Sequence, residues 1–597
     1  MKKILLACFF ISIGVFGQKP DARLAKIDLE INKVLKDQKA AGAAVAVVLK
    51  DKVIFAQGFG YRDIEKKLPV TVNTQFAIGS CTKAFTCALL GILQNDGKLE
   101  FDKPVTTYLS DVKFSENQLT EQVTLRDMMC HRTGLPRHDY SWYLSPDSRS
   151  ELVKRIAYLK PSAPLRQRWQ YNNFMFMLQG VVAEKLTGKS WEANVKEKIF
   201  APLAFTHSNF SVKDMAQYQE PAIGHGLYNE NIQKLDYYNI EGMGPAGSIN
   251  STVIDMAEWV KLWINGGKKD NTQVLPASYI KEAISSQMII GGGLPTKEKP
   301  DVSFLNYGFG WFLANYKGHY WVEHGGNIDG FSASTCFFPT DSLGIVVLTN
   351  QNGSDVPGVI RNLIVDRMLG IKYFDWNADN LKTKEKAKKA GQESQKLGSS
   401  NRKSNTKLSH TQAEMAGIYS NNGYGKFEVS VKSDSLFAQF KEQKYWIRQV
   451  HYDIFEIFDT KPQIDTTDKS PVRFQFDTGL DGNIKSISIY GIEPTLSEPV
   501  IFNRSEKTPE LSKKDLEKYV GEYELAGTVV KAYIKNEKTL YVFVPGQPEY
   551  ELVPNGLHKF DLKILSGYSV LFEVNDKNAA TALTFQQPNG NFKAERK

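Results

Sequence analysis

The sequence predicts an α+β protein that closes with two small all-β modules, and three observations carry this. An apolar run from Ala84 to Leu93 has the length of a buried helix, whereas Gly344-Ile345-Val346-Val347-Leu348-Thr349-Asn350 is β-branched like a strand. A stretch from Leu381 to Lys407 is rich in Lys, Gln and Ser and poor in apolar residues, as expected of a frayed helix followed by coil. Beyond it, segments such as Phe427-Glu428-Val429-Ser430-Val431 and Ile484-Lys485-Ser486-Ile487-Ser488-Ile489 alternate apolar with polar. At 597 residues the chain has room for about three or four domains. The expected boundaries are a signal peptide at 1–17, a mixed domain at 18–375, a linker at 376–407, and β modules at 408–505 and 506–597.

The first residues read as an export signal: Lys2 and Lys3, an apolar stretch from Ile4 to Phe16, and small Gly17 at the cleavage point. Leu5-Leu6-Ala7-Cys8 offers a lipoprotein anchor at Cys8 as the alternative, but little apolar sequence precedes that cysteine. No later run approaches the roughly 18 apolar residues of a membrane helix. The expectation is a periplasmic or secreted protein without a transmembrane segment. Its remaining cysteines, Cys81, Cys87, Cys130 and Cys336, do not form a disulfide scaffold.

Three short motifs carry chemistry. Ser80-Cys81-Thr82-Lys83 sets a hydroxyl and an amine one helical turn apart, where they share a face. A serine becomes a nucleophile when a base takes its proton, and a lysine kept neutral by burial is such a base. Tyr171-Asn172-Asn173 supplies a phenol, expected to be acidified by a neighbouring ammonium, and an amide able to hold the lysine or a substrate. His324-Gly325-Gly326-Asn327 puts an imidazole donor beside glycines that admit a substrate backbone. Each motif alone also fits a structural role: a snorkelling lysine, a tyrosine at a helix start, a glycine bulge.

Together, in this order and at these separations, they resemble the serine β-lactamase and penicillin-binding-protein superfamily, in its class C-like branch that includes D-aminopeptidases and esterases. Cys130-His131-Arg132-Thr133-Gly134-Leu135, Gly244-Pro245-Ala246-Gly247-Ser248 and Tyr307-Gly308-Phe309-Gly310-Trp311 resemble further family segments, the last of them the strand before the His-x-Gly element. The resemblance covers about residues 25 to 370. It implies a three-layer α/β/α domain with a central antiparallel sheet, and lipocalin-like barrels for the β modules. It also implies an acyl-enzyme on Ser80, with Lys83 and Tyr171 moving protons. Asn173 and His324 would contact substrate, and an oxyanion hole would form from the backbone N–H groups of Ser80 and Asn327, with Gly326 beside it. The chain departs from true class C enzymes at His324, which stands where they carry lysine; this points away from β-lactams and toward esters, amides or short peptides, some with D-amino acids.

No metal site is read, because Gly134 and Pro136 put His131 and His138 on a loop, and the motifs imply no cofactor. The net charge of +8 is mild and concentrated between Lys382 and Lys407, so nucleic acid is not an expected partner. The expected partner is a small-molecule or short-peptide substrate, with a homo-oligomer as an option. The alternative to a hydrolase is a penicillin-binding or peptidoglycan-peptide sensor on the same fold. The β modules repeat: Gly417-Ile418-Tyr419 answers Gly521-Glu522-Tyr523, and Tyr445 to Phe455 has the same ten-residue step as Tyr550 to Phe560. Two roles stay open for them, a purely structural one and a cover over the site.

Overall fold

The computed structural model describes residues 21–597 except 292–293, 297–301, 400–401, 462–463, 467–469, 506–510, 566–567, 577 and 588–589, so the expected signal peptide lies outside the described residues. Gly42–Leu49 is an almost wholly apolar strand, and its alternation explains its place. Ala43, Val45 and Val47 join one apolar cluster, with the helices Ile27–Asp37 and Val356–Met368, while Ala44, Ala46 and Val48 join another. A strand covered on both faces needs apolar side chains at every position. It lies inside a nine-stranded sheet, all of whose pairings are antiparallel, beside Leu343–Thr349. The three-layer α/β/α architecture expected by resemblance is the one observed.

The sheet's other face carries the helices Thr82–Asn95 and Val253–Ile264, joined where Phe85 stacks on Trp259 at 3.9 Å. Tyr307-Gly308-Phe309-Gly310-Trp311 differs from the expected strand. Two strands, Val302–Tyr307 and Phe312–Tyr316, meet there through a turn in which Gly308 N–H donates to Trp311 O and Gly310 takes φ +72.

Residues 417–505 and 521–596 form two closed eight-stranded barrels. The sequence repeat recurs in atomic detail. Thr411 and Ser512 open capping boxes, the Tyr419 and Tyr523 hydroxyls donate to Met415 O and Tyr519 O, and Arg504 and Arg596 donate to Ala416 O and Val520 O. The barrels differ in attachment. The first shares an apolar cluster with the helices Thr82–Asn95 and Val253–Ile264, whereas the second has a cluster of its own. The expected linker begins as the helix Trp376–Ser399, and its first turn belongs to the mixed domain: Trp376 Nε1 donates to Asp366 and Asn377 pairs with Asp37. An indole bonded to a buried carboxylate and an amide that is itself buried outweigh the polar composition that follows. Among the described residues no helix is long and apolar enough to cross a membrane.

Candidate active site

Ser80 sits in a tight turn, Gly79–Cys81, that runs directly into the helix Thr82–Asn95. Gly79 makes the turn possible. Its φ is +50, and a Cβ there would lie 2.8 Å from the backbone nitrogen of Asn327. The helix is apolar nearly all round and buries Lys83 completely. Cys81, inside the motif, donates its thiol to His324 O at 3.1 Å, and burial pushes that thiol up to about 12. It packs and is not a nucleophile.

The Lys83 Nζ has three neighbours: Ser80 Oγ at 3.1 Å, Asn173 Oδ1 at 2.8 Å and Ala246 O at 2.7 Å. Two of these only accept. A neutral amine satisfies both with its two N–H bonds and turns its lone pair to the Ser80 hydroxyl, which then donates. Burial holds Lys83 well below the ordinary lysine range, and the Arg137 charge pushes the same way. The amine's lone pair is thus directed at the serine hydroxyl.

Asn172 caps the helix Asn173–Thr187 by accepting from Met175 N–H, so Asn173 enters on its first turn. Tyr171 stands just before, its hydroxyl hydrogen-bonded to Ser80 and its ring under Lys83 at 4.8 Å and Arg137 at 4.9 Å. The expected acidification of Tyr171 is not found: burial raises its pKa above the ordinary phenol value. Acidification needs a cationic lysine, but a buried neutral lysine offers no such field, and dehydrating a phenolate dominates. Tyr171 is therefore a proton donor at neutral pH. His131, at φ +59, props the ring from behind at 4.3 Å and accepts from Asn172 N–H at 3.1 Å.

The strand His319–Ile328 closes the site from the sheet side. A Cβ on Gly326 would come 1.9 Å from Ile78 O and 3.2 Å from Ser80 N, so only glycine lets the strand lie against the Gly79–Cys81 turn. The strand and the turn are thus in close contact, with the Asn327 nitrogen 2.8 Å from where a Cβ on Gly79 would lie. His324 is not the free donor the sequence suggested. Its Nε2 meets the Tyr307 hydroxyl at 2.8 Å and its Nδ1 meets Gly325 O at 2.6 Å, and a carbonyl only accepts. The ring is thus the Nδ1–H tautomer with Nε2 accepting from Tyr307. Burial lowers its pKa to about 3, so it carries no charge to replace the missing lysine.

Two clefts meet at Ser80, Arg137 and Asn327. One, of about 1110 Å³, runs past Tyr171 and His324 to the helix that begins at Trp376. The other, of about 660 Å³, runs past Tyr143 and Ala246 and is walled by Tyr445, Phe458 and Asp459 of the first barrel. Sequence reading missed Arg137, which overlies Tyr171, and Asp139, which accepts from Asn173 Nδ2 at 3.0 Å. They belong to no recognisable motif; the only local signal was an Arg-His-Asp run after Pro136.

A family model described as Beta-lactamase matches residues 27–367. The chain belongs to the beta-lactamase family. A second model, described as a domain of unknown function (DUF3471), matches residues 401–503 and so falls on the first barrel. "Unguisins hydrolase ungD'" of Aspergillus campestris is 32% identical over 357 residues, covering 56% of this chain and 64% of that protein. "Protein flp" of Staphylococcus aureus is 26% identical over 343 residues, covering 57% of this chain and 65% of that protein. The chain thus spans slightly less than two thirds of the length of either relative. An octameric penicillin-binding protein homologue from Pyrococcus abyssi superposes with a TM-score of 0.53 at 21% identity, over 80% of this chain and 99% of that one, and so shares the family's fold. Ser80, Lys83, Tyr171 and Asn173 all lie within the span that matches the beta-lactamase family.

Proposed function

We propose that this beta-lactamase-family chain is an exported serine hydrolase that cleaves esters, amides or short peptides through an acyl-enzyme on Ser80. The observation that carries the reading is the buried Lys83 amine, held by two fixed acceptors with its third position on Ser80 Oγ. In acylation the Ser80 Oγ–carbon bond forms as its proton passes to Lys83. The oxyanion is met by the amides of Ser80 and Asn327, preorganised donors of the kind that stabilise such charge most. Tyr171 donates a proton to the leaving group as the old bond breaks, and Lys83 returns one to Tyr171. Water then adds to the acyl carbon, the Oγ–carbon bond breaks, and Ser80 regains its proton.

The names of relatives support this class: one is a hydrolase acting on unguisins. Neutral His324 leaves β-lactams without the fixed cation at that position. Esters and amides need none.

A fluorophosphonate tests the reading without knowledge of the natural substrate. Ser80 Oγ attacks phosphorus, fluoride leaves, and the proton goes to Lys83. Intact mass should rise by one phosphonyl group, localised to the peptide containing Ser80. A short p-nitrophenyl ester, a D-alanine p-nitroanilide and a chromogenic cephalosporin would then rank substrate classes, with the cephalosporin slowest. No adduct and no turnover would overturn the proposal in favour of a binding protein.

The pH profile follows from the two displaced groups. Lys83 must be neutral, so kcat/KM for the ester rises with pH through its depressed pKa and is already high where an exposed lysine would still be charged. Tyr171 must keep its proton, and its pKa is raised, so the alkaline fall lies above the ordinary tyrosine range. A rate rising only through the range of free lysine would contradict this assignment.

A further inference from the structure

Asn173 is an amide, and an amide can present either end. If it flipped, an N–H would face Lys83 and occupy the amine's lone pair, leaving none for the Ser80 hydroxyl. What prevents the flip is Asp139, which only accepts: by taking Asn173 Nδ2 on Oδ1 at 3.0 Å it turns Oδ1 of the amide toward Lys83. Asp139 is itself fixed by Trp142 Nε1 at 2.8 Å and Arg137 Nε at 2.6 Å.

The loop that carries Asp139 is held largely from outside its own domain. His138 has φ +50, a conformation that costs a non-glycine residue about 1–2 kcal/mol. Its backbone N–H donates to Glu493 of the first barrel at 2.8 Å. Its ring donates from Nε2 to Lys160 O, so Nδ1 accepts from the Tyr424 hydroxyl, another barrel group, at 2.6 Å. Ser141 Oγ donates to Gly423 O. Lys441 reaches across to cap three carbonyls at once, those of Tyr140, Ser141 and Tyr143. Four barrel residues thus grip the seven residues from Arg137 to Tyr143.

We infer that the first barrel is a working part of the active site: by clamping this loop it fixes Asp139, which sets the Asn173 amide and, through it, the Lys83 amine. Asp139 is a positioning residue in this scheme, and the inference rests on the hydrolase reading above. It gives the barrel a role distinct from that of a wall or a structural appendage, because the clamp acts on any substrate, however small.

The test uses the full chain and saturable labelling of Ser80 by a small fluorophosphonate, which separates the limiting rate from the half-saturating concentration. Asp139→Asn, nearly identical in shape, is expected to lower the limiting rate about 10²-fold with half-saturation unchanged. It should also move the acid limb to lower pH, because the carboxylate that favours charged Lys83 is gone. Asp139→Glu should recover part of the rate. Lys441→Met and Tyr424→Phe, at barrel residues that line neither cleft, should lower the limiting rate in the same sense, with melting curves showing that the protein remains folded. An unchanged rate and acid limb in Asp139→Asn would overturn the inference, as would barrel variants that alter only half-saturation. Labelling that survives Ser80→Ala would instead sink the hydrolase reading itself.

Discussion

Ser80→Ala and Lys83→Met are each expected to lower kcat/KM for the preferred ester by about 10⁴-fold or more, and the double variant by no more than the worse single one. The reason is geometric. The lysine's lone pair has one target, the Ser80 hydroxyl at 3.1 Å, because its two other neighbours are acceptors that use its N–H bonds. Without the serine the base has no proton to take, and without the base the serine stays a weak nucleophile. Residues acting as one unit lose their contribution once. Methionine fills much of the lysine's volume, so the fold should persist. It orphans Asn173 Oδ1 and Ala246 O, at about 1–3 kcal/mol per buried acceptor, but it also removes a buried amine. Kinetics and melting curves of the three variants decide the matter; multiplicative losses would mean that serine and lysine act in separate steps.

Gly326→Ala is expected to be nearly as damaging although it adds a single methyl group. The new carbon would sit 1.9 Å from Ile78 O and 2.8 Å from Ile78 C, both backbone atoms that no rotamer change can move. Relief requires the strand His319–Ile328 to withdraw from the nucleophile turn. In the proposed mechanism the amides of Ser80 and Asn327 would then no longer act together, and loss of one oxyanion donor costs about 10²–10³-fold in kcat. Gly325→Ala is the matched comparison, since a Cβ there meets only Ala333 O at 3.5 Å. A severe loss at Gly326 with near-normal activity at Gly325 is the expected pair of results. Equal effects would show that the strand tolerates the displacement.

The mixed fold, both β modules and the three motifs were legible because each is written in local pattern. Continuous apolar strands, period-two alternation and the spacing from Ser80 to Lys83 depend on neighbours in sequence. Other features depend on partners far along the chain. Asp139 meets Asn173 across 34 positions and His138 meets Glu493 across 355, and no pattern around any of them announces the pairing. The acidity of Tyr171 is not legible in the motif for a related reason. A charged neighbour can be read from a motif, but the burial that discharges it comes from the whole fold. His324 lies within a strand, and the Tyr307 hydroxyl that occupies it lies beyond a turn that the sequence presents as strand.

The unequal attachment of the two barrels has a consequence for how the molecule comes apart. Cooperative units follow continuous cores rather than boundaries drawn along the chain. The mixed domain and the first barrel share one apolar cluster and so should melt as a single unit, despite the long polar helix between them in sequence. The second barrel, with its own cluster, is a separate unit that can open while the rest stays intact. Heating such a chain should expose two transitions for three visible modules, with the larger one silencing Ser80.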